Sequence, residues 1–600
     1  MLYERQFVYL AASIHYYFHL QMKKALTLLI LTVMFSCQQS EKKEADTNAN
    51  FDSFKNSFIE RLWELYPGWA AAVGYHKYDS ILVIPDQAFH SREVEFARAH
   101  LDSLAAYPAD KLSANNKTDH VMIMNALKYI EWNVNSFKDY EWNPASWNVC
   151  GSFGEALNGT YAPLEERLRN MHLRMQNVPA YYEEAKRSIK NPTAEHTLLG
   201  IDQNTGGAGV FETDIPDSVM ACAGLSASEK EQMTARSKEC AAAVHGYAAW
   251  LKEMKNENPR TFRLGRELYD KKFEFDIQSG YSPEQIYQKA LTRKKELHSE
   301  MHKISASIWN KYFEGTAMPS DSLKAIKMMI DKLSATHVHR DSFQLAIEKQ
   351  IPELEKFVTE KNLIYLDPKK PLVVRKEPAY MAGVAGASIS APGPYDKDAN
   401  TFYNVGSLTG WPEERAESYL REYNHYVLQI LNIHEAVPGH YTQLIYSNQS
   451  PSIIKSVFGN GAMIEGWAVY TERMMLENGY GNNEPEMWLM YNKWHLRAVC
   501  NTILDYSVHV NNMSKEDALH LLIDEAFQQK AEAEGKWKRC TLTQVQLCSY
   551  FTGYTEIYDF REDTRKKEGD KFDLKSWHEK FLSYGSAPVK EIRKLMEAGE

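Results

Sequence analysis

The segment His434-Glu435-Ala436-Val437-Pro438-Gly439-His440 holds the residue types of a metal-assisted hydrolase. Such a site needs two neutral imidazoles on the metal and a carboxylate beside the first to take a proton from metal-bound water. On an uninterrupted helix, histidines four apart share a face and meet one ion. Here the second histidine comes six residues after the first. On a straight helix that turns it about 120° away from His434. Pro438 cannot continue the hydrogen-bond ladder and Gly439 tolerates almost any backbone angle, so the spacing predicts a bulge that brings His440 back.

A third ligand is expected from a later helix. Glu465, 25 residues after His440 in Gly461-Ala462-Met463-Ile464-Glu465-Gly466-Trp467, is a carboxylate in an apolar stretch. Its burial is costly unless it is paired or bound to a cation. The alternative is an ion pair with Arg473, two turns on. With the histidine pair nearby, ligation is the stronger reading. Hydrolysis also passes through an oxyanion that calls for donors. Asp505 and His509, four apart on one helical face, are candidates, as are Arg539, Gln546 and Tyr550. Asp505 with His509 equally fits a local pair that only stabilises its helix.

These residues must be held by elements, and the chain reads as helical nearly throughout. Amphipathic periodicity covers about 54–65, 93–107, 118–136, 163–189, 226–254, 282–307 and 320–333, with Ser282-Pro283-Glu284-Gln285 and Ser320-Asp321 at N-termini. Between Pro368 and Trp411 the pattern changes. Pro371–Arg375 and Thr401–Val405 read as strands, separated by a Gly/Ala/Ser/Pro-rich loop from Gly383 to Pro394. Helical periodicity returns at 414–437, 462–477, 487–510 and 515–530. The expected organisation is a helical part at 51–370 and a site-bearing part at 371–600, which could form one continuous body.

Met22-Lys23-Lys24, then an apolar run from Ala25 to Phe35 and Ser36-Cys37, reads as a signal peptide ending in a lipobox. The run is shorter than the roughly 20 residues of a membrane span. Cys37 would be the lipidated mature N-terminus, and 37–50 a polar tether. Residues 1–21 suit neither role and read as an over-called start. Without residues 1–36 the formal charge moves from −10 to about −12, because Glu4, Arg5, Lys23 and Lys24 together carry +2. No long basic block is present, so a nucleic-acid partner is not expected. The membrane is reached only through the anchor. Of seven cysteines, the six beyond Cys37 show no C-x-x-C pair and no legible pairing.

The stretch His434 to Gln443, Glu465 to Tyr470, Arg497, Asp505, His509, Arg539, Gln546, Tyr550 and Gly553 resembles the bacterial family known as domain of unknown function 885. That family is grouped with the zincin-like metallopeptidases, is mainly helical and has many secreted or lipoprotein members. The N-terminal resemblance is thinner, resting on Arg61, Pro67, Ala71, Gly74, Asp79 and the stretch from Arg167 to Tyr181. The Pro-Gly insertion before the second histidine is a family feature. The resemblance implies a mainly α, zincin-like fold with a small sheet beside the metal helix, zinc on His434, His440 and Glu465, and Glu435 as general base. It departs at Lys536, where the family has glutamate, at Cys540 in place of tyrosine, and at Gln544-Val545 in place of Pro-Gly.

The expected function is a lipid-anchored bacterial envelope metallopeptidase that cleaves short peptides. Glu435 would activate the water, His509 or Tyr550 would steady the oxyanion, Arg539 would hold a substrate carboxylate, and Gln546 and Asn404 would contact substrate. Asn404 enters because zincins align a peptide along a sheet edge beside the metal helix. Alternatives are a zinc hydrolase of a non-peptide amide and a metal-free binding lipoprotein. A serine hydrolase fails on motif, the nearest approach being Gly386-Ala387-Ser388-Ile389-Ser390.

Overall fold

The computed structural model describes residues 47–377, 387–396 and 400–599. The expected signal peptide, Cys37 and the first residues of the tether lie outside these. Among the described residues no helix is long and apolar enough to cross a membrane.

Helix boundaries follow the capping chemistry. Ser226 and Glu229 exchange side-chain and backbone hydrogen bonds ahead of the helix Ala227–Glu253, and Ser282 with Gln285 does the same ahead of Pro283–Tyr312. Asp321 caps Ser322–Ser334. Three expected helices are each interrupted. The 163–189 stretch divides into Leu164–Met175 and Val178–Ser188, with Pro179 in the first turn of the second, where its missing N–H costs nothing. The 414–437 stretch breaks at Asn424, whose side chain accepts from the Tyr426 and Val427 amides and starts a new helix. The 515–530 stretch ends in a wide turn, and the helix Lys530–Thr543 begins where the earlier pattern was expected to stop.

The sheet has three strands, β1 (Leu372–Lys376), β2 (Ala387–Ser390) and β3 (Thr401–Val405), in the order β1-β3-β2. β1 runs parallel to β3 and β2 antiparallel to it, pairing Arg375 and Ser388 with Asn404. β2 falls inside the stretch expected to be a loop, because Ala387-Ser388-Ile389-Ser390 offers a single large apolar side chain.

The main hydrophobic core runs from Phe51 to Leu595, so residues on both sides of 370 share it. A second core is built within 147–251, from Trp147 to Leu251. The division of cores therefore falls around that inserted helical group and not at 370. A polar node ties the first helices to the site-bearing region. Asp119 is fully buried and accepts from Lys55 Nζ, Lys455 Nζ and Ser452 Oγ, each at 2.7 Å. All six described cysteines are buried free thiols.

Candidate metal centre

Six helices carry the site: α1 (His425–Glu435), α2 (His440–Asn448), α3 (Gly461–Glu477), α4 (Pro485–His509), α5 (Lys530–Thr543) and α6 (Ser549–Glu568). The expected bulge is a full break. α1 stops at Glu435, the Val437–Pro438 peptide is cis, and α2 starts at His440. The Gly439 amide reaches back to the Ile433 carbonyl at 3.0 Å, folding the connection against the end of α1. A β-carbon on Gly439 would lie 1.9 Å from the His434 carbonyl oxygen, so glycine is required there for close approach. Trp467 Nε1 donates to the Pro438 carbonyl at 2.9 Å and fixes the connection to α3. The result is the convergence that the residue types called for. The His434 and His440 rings stand 4.8 Å apart and nearly perpendicular.

Glu465 comes from the first half of α3. Its Oε2 lies 3.7 Å from His434 Nε2 and 3.4 Å from His440 Nε2, and the three donor atoms are all within 4.8 Å of one another. Arg473 is not its partner, for it pairs with Glu477 and donates to Tyr554. Glu472, two turns after Glu465, was not anticipated. It accepts from His434 Nδ1 at 2.7 Å and from Trp494 Nε1 at 2.9 Å. A carboxylate on the far nitrogen fixes the ring and leaves Nε2 aimed at the centre. The legible signal was seven-residue spacing, which returns to the same helix face within about 20°. The depth of Glu465 is set by main chain. A β-carbon on Gly466 would fall 2.3 Å from Gly553, and one on Gly553 1.7 Å from the Ala462 carbonyl, so α3 and α6 cross in backbone contact.

Charge at the centre is strongly coupled. Burial alone would keep His434 neutral, but Glu465 and Glu472 outweigh it and push the ring up to about 10. Burial opposes ionisation of Glu465, yet the two histidines hold it well below the usual carboxylate range. Glu435 is raised, chiefly by burial, with the two histidines pulling the other way. Three carboxylates thus surround two imidazoles, a donor set that calls for positive charge at its middle. Two imidazole nitrogens and one carboxylate oxygen are a donor set of the kind that zinc takes.

The downstream candidates separate into two groups. Arg539 Nη2 donates to Gln546 Oε1 at 2.8 Å and to the Tyr550 hydroxyl at 2.9 Å, and Tyr550 is pushed up to about 12 by burial and by the nearby Glu465. These three come together beside the metal donors. His509 does not join them. It is fully buried, its Nε2 donates to the Cys540 carbonyl at 2.9 Å, and it lies about 22 Å along α4 from Trp494, the residue of that helix that reaches the site. Its neighbours are Asp505, Cys540, Cys548 and Tyr269. Asn404, expected as a substrate contact, is engaged within the sheet. β3 is the central strand, and the Asn404 side chain is taken up by Arg375 at 2.7 Å and Ser390 at 2.7 Å. What β3 contributes is Tyr403, whose hydroxyl donates to Asn432 on α1 at 2.9 Å and so ties the sheet to that helix.

A mainly helical protein with a small sheet braced against a His/His/Glu centre is the class that fold and site define. The chain belongs to the family described as bacterial protein of unknown function (DUF885), whose model matches residues 67–596. It is similar to a solved candidate lipoprotein of unknown function from Shewanella oneidensis, at 54% identity and TM-score 0.82, covering 91% of this chain and 99% of that one. A solved candidate lipoprotein from Colwellia psychrerythraea shares the fold at 15% identity and TM-score 0.73, with 93% and 99% covered. No curated protein matches the chain.

Proposed function

We propose that the protein is an envelope-anchored zinc metallohydrolase of zincin-like type that cleaves short peptides. The observation that carries this reading is the convergence of His434, His440 and Glu465 to within 4.8 Å, with Glu435 next to the first ligand and Glu472 clamping its ring. Bound there, zinc would polarise a scissile carbonyl and acidify the attacking water. Glu435, with its raised proton affinity, takes the proton from that water and returns it to the leaving amine. Tyr550, held by Arg539, supplies a hydroxyl donor for the developing oxyanion. The lipobox at Cys37 and the lipoprotein description of the two solved relatives support an envelope location.

Metal analysis of protein purified without chelator is the first test, with one zinc per chain expected. Less than about half an equivalent turns the assignment toward a metal-free binding lipoprotein. A peptide-library cleavage profile follows, and hydrolysis confined to non-peptide amides removes the peptidase assignment while keeping the metal site.

A further inference from the structure

Four cations and two anions meet where α4 and α5 face each other. Lys493 pairs with Glu422 at 2.7 Å, each 3% exposed. Arg497 pairs with Glu532 through Nη2, while its Nη1 is buried with no hydrogen-bond partner among the described residues. Lys536, one turn before Arg539 on α5, is 4% exposed and has no hydrogen bond or ion pair among the described residues. Glu532 senses all four cations: Arg497, Lys536, Lys493 and Arg539. Once the two carboxylates are matched to Lys493 and Arg497, Lys536 and Arg539 remain without one. A buried ammonium with no anion of its own is expensive. Burial and the Arg497 guanidinium push Lys536 well below the ordinary lysine range, with Glu532 offsetting this only in part.

The group reaches the candidate metal donors through Trp494 and Glu472 on one side and through Tyr550 on the other. Arg497 stacks on Trp494 at 4.8 Å, and Trp494 donates to the Glu472 carboxylate that holds His434. Arg539 donates to Tyr550, which feels the charge of Glu465. A single carboxylate placed among Lys536, Arg497 Nη1 and Arg539 would satisfy the two orphaned donors and cancel part of the excess charge.

We infer that Lys536, Arg497 and Arg539 form a carboxylate receptor, and that it takes the terminal carboxylate of a peptide whose scissile bond lies at the metal centre. The carboxylate chemistry stands on these residues alone. The peptide part rests on the metallopeptidase reading above, and makes the enzyme an exopeptidase acting near the C-terminus.

The test uses calorimetry on the purified protein with hippurate, hippuramide and N-acetylisoglutamine, the last offering only a side-chain carboxylate. Hippurate should bind about tenfold or more tightly than hippuramide, as a charge-assisted contact requires. N-acetylisoglutamine should bind like the amide. Lys536→Met should remove most of the preference and Lys536→Arg should keep it, and wild type alone already gives the first comparison if a variant folds poorly. Equal binding of acid and amide, or no binding of either at tens of millimolar, overturns the receptor. A preference that vanishes with chelator but survives Lys536→Met places the carboxylate on the metal and also overturns it. Equal binding of N-acetylisoglutamine overturns the terminal assignment. Absence of peptide hydrolysis counts against the metallopeptidase reading and is read separately.

Discussion

Two groups among the described residues bring three metal-capable donors within 4.8 Å, the partly exposed His434/His440/Glu465 and the fully buried Asp505/His509/Cys540. Distance does not separate them; the use already made of each polar atom does. In the first group the far nitrogen of His434 is clamped by Glu472, so the near nitrogen is presented inward, and three acidic groups leave the centre short of positive charge. In the second, Asp505 accepts from the Tyr269 hydroxyl at 2.6 Å and from the Cys548 thiol at 3.6 Å, and His509 donates to a carbonyl. Burial raises Asp505 and the two thiols alike, favouring their protonated, hydrogen-bonding forms. The first group turns free donor atoms toward one point, whereas the second spends most of its polar atoms on internal hydrogen bonds and leaves only His509 Nδ1 without a partner among the described residues.

The sharpest way to break this comparison is to exchange one residue beside the first group and one within the second. Glu435→Gln should lower kcat by roughly 10²–10⁴ while zinc stays bound, because it removes only the proton acceptor. His509→Gln should leave kcat per folded molecule within a few-fold of wild type. Steady-state kinetics beside metal analysis reads both, and full activity in Glu435→Gln would sink the general-base role. Next in size, Glu472→Gln should weaken zinc affinity by about 10–100-fold through loss of ring orientation. Asp505→Asn should leave zinc content unchanged, and loss of metal there would erase the distinction. Asp505→Ala should instead cost about 1–3 kcal/mol in denaturant unfolding, the penalty for stranding the Tyr269 hydroxyl and a buried thiol.

The smallest effect is on pH. His434 is raised in the folded, metal-free protein, so its contribution to stability is full below its unfolded value near 6.5 and is lost as pH rises through about 10. Unfolding midpoints of chelator-treated protein should therefore fall between pH 7 and 10. Zinc-loaded protein, whose His434 Nε2 would carry zinc in place of the titrating proton, should stay flat over that range. Parallel curves for the two forms would argue against metal at His434.

The helical character, two of three strands and the grouping of His434, His440 and Glu465 were legible in the sequence because each rests on local pattern: amphipathic spacing, β-branched runs, and imidazoles beside a carboxylate. The failures share a cause too. His509 and Asp505 have the spacing of a functional pair, but whether they face the metal depends on α5, whose Cys540 carbonyl captures the ring. Asn404 lies on the strand beside α1, yet being central rather than edge follows from β2, which has almost no sequence signal. Glu472 lies within reach of periodicity, seven residues after Glu465, but its role depends on His434 Nδ1 and Trp494, which only the packing of α1, α3 and α4 brings to it. Lys536 looked like a departure that only disturbed Arg539, and its burial without a carboxylate appears only once α4 and α5 are packed.

The Asp119 node bears on the order in which the chain acquires structure. Lys455 is 336 residues from Asp119, and both are fully buried in their pairing. Lys55 can pair with the Asp119 carboxylate from the start, but the second ammonium, Lys455, is synthesised at least about 17 seconds later, at the roughly 5–20 residues per second of translation. Early helices can form, but the Asp119 node is complete only when Ser452 and Lys455 arrive, which couples the first helices to the region around 452–455. Such long-range closure makes for a slow folder, and refolding from denaturant should track the fully assembled chain and not its N-terminal helices.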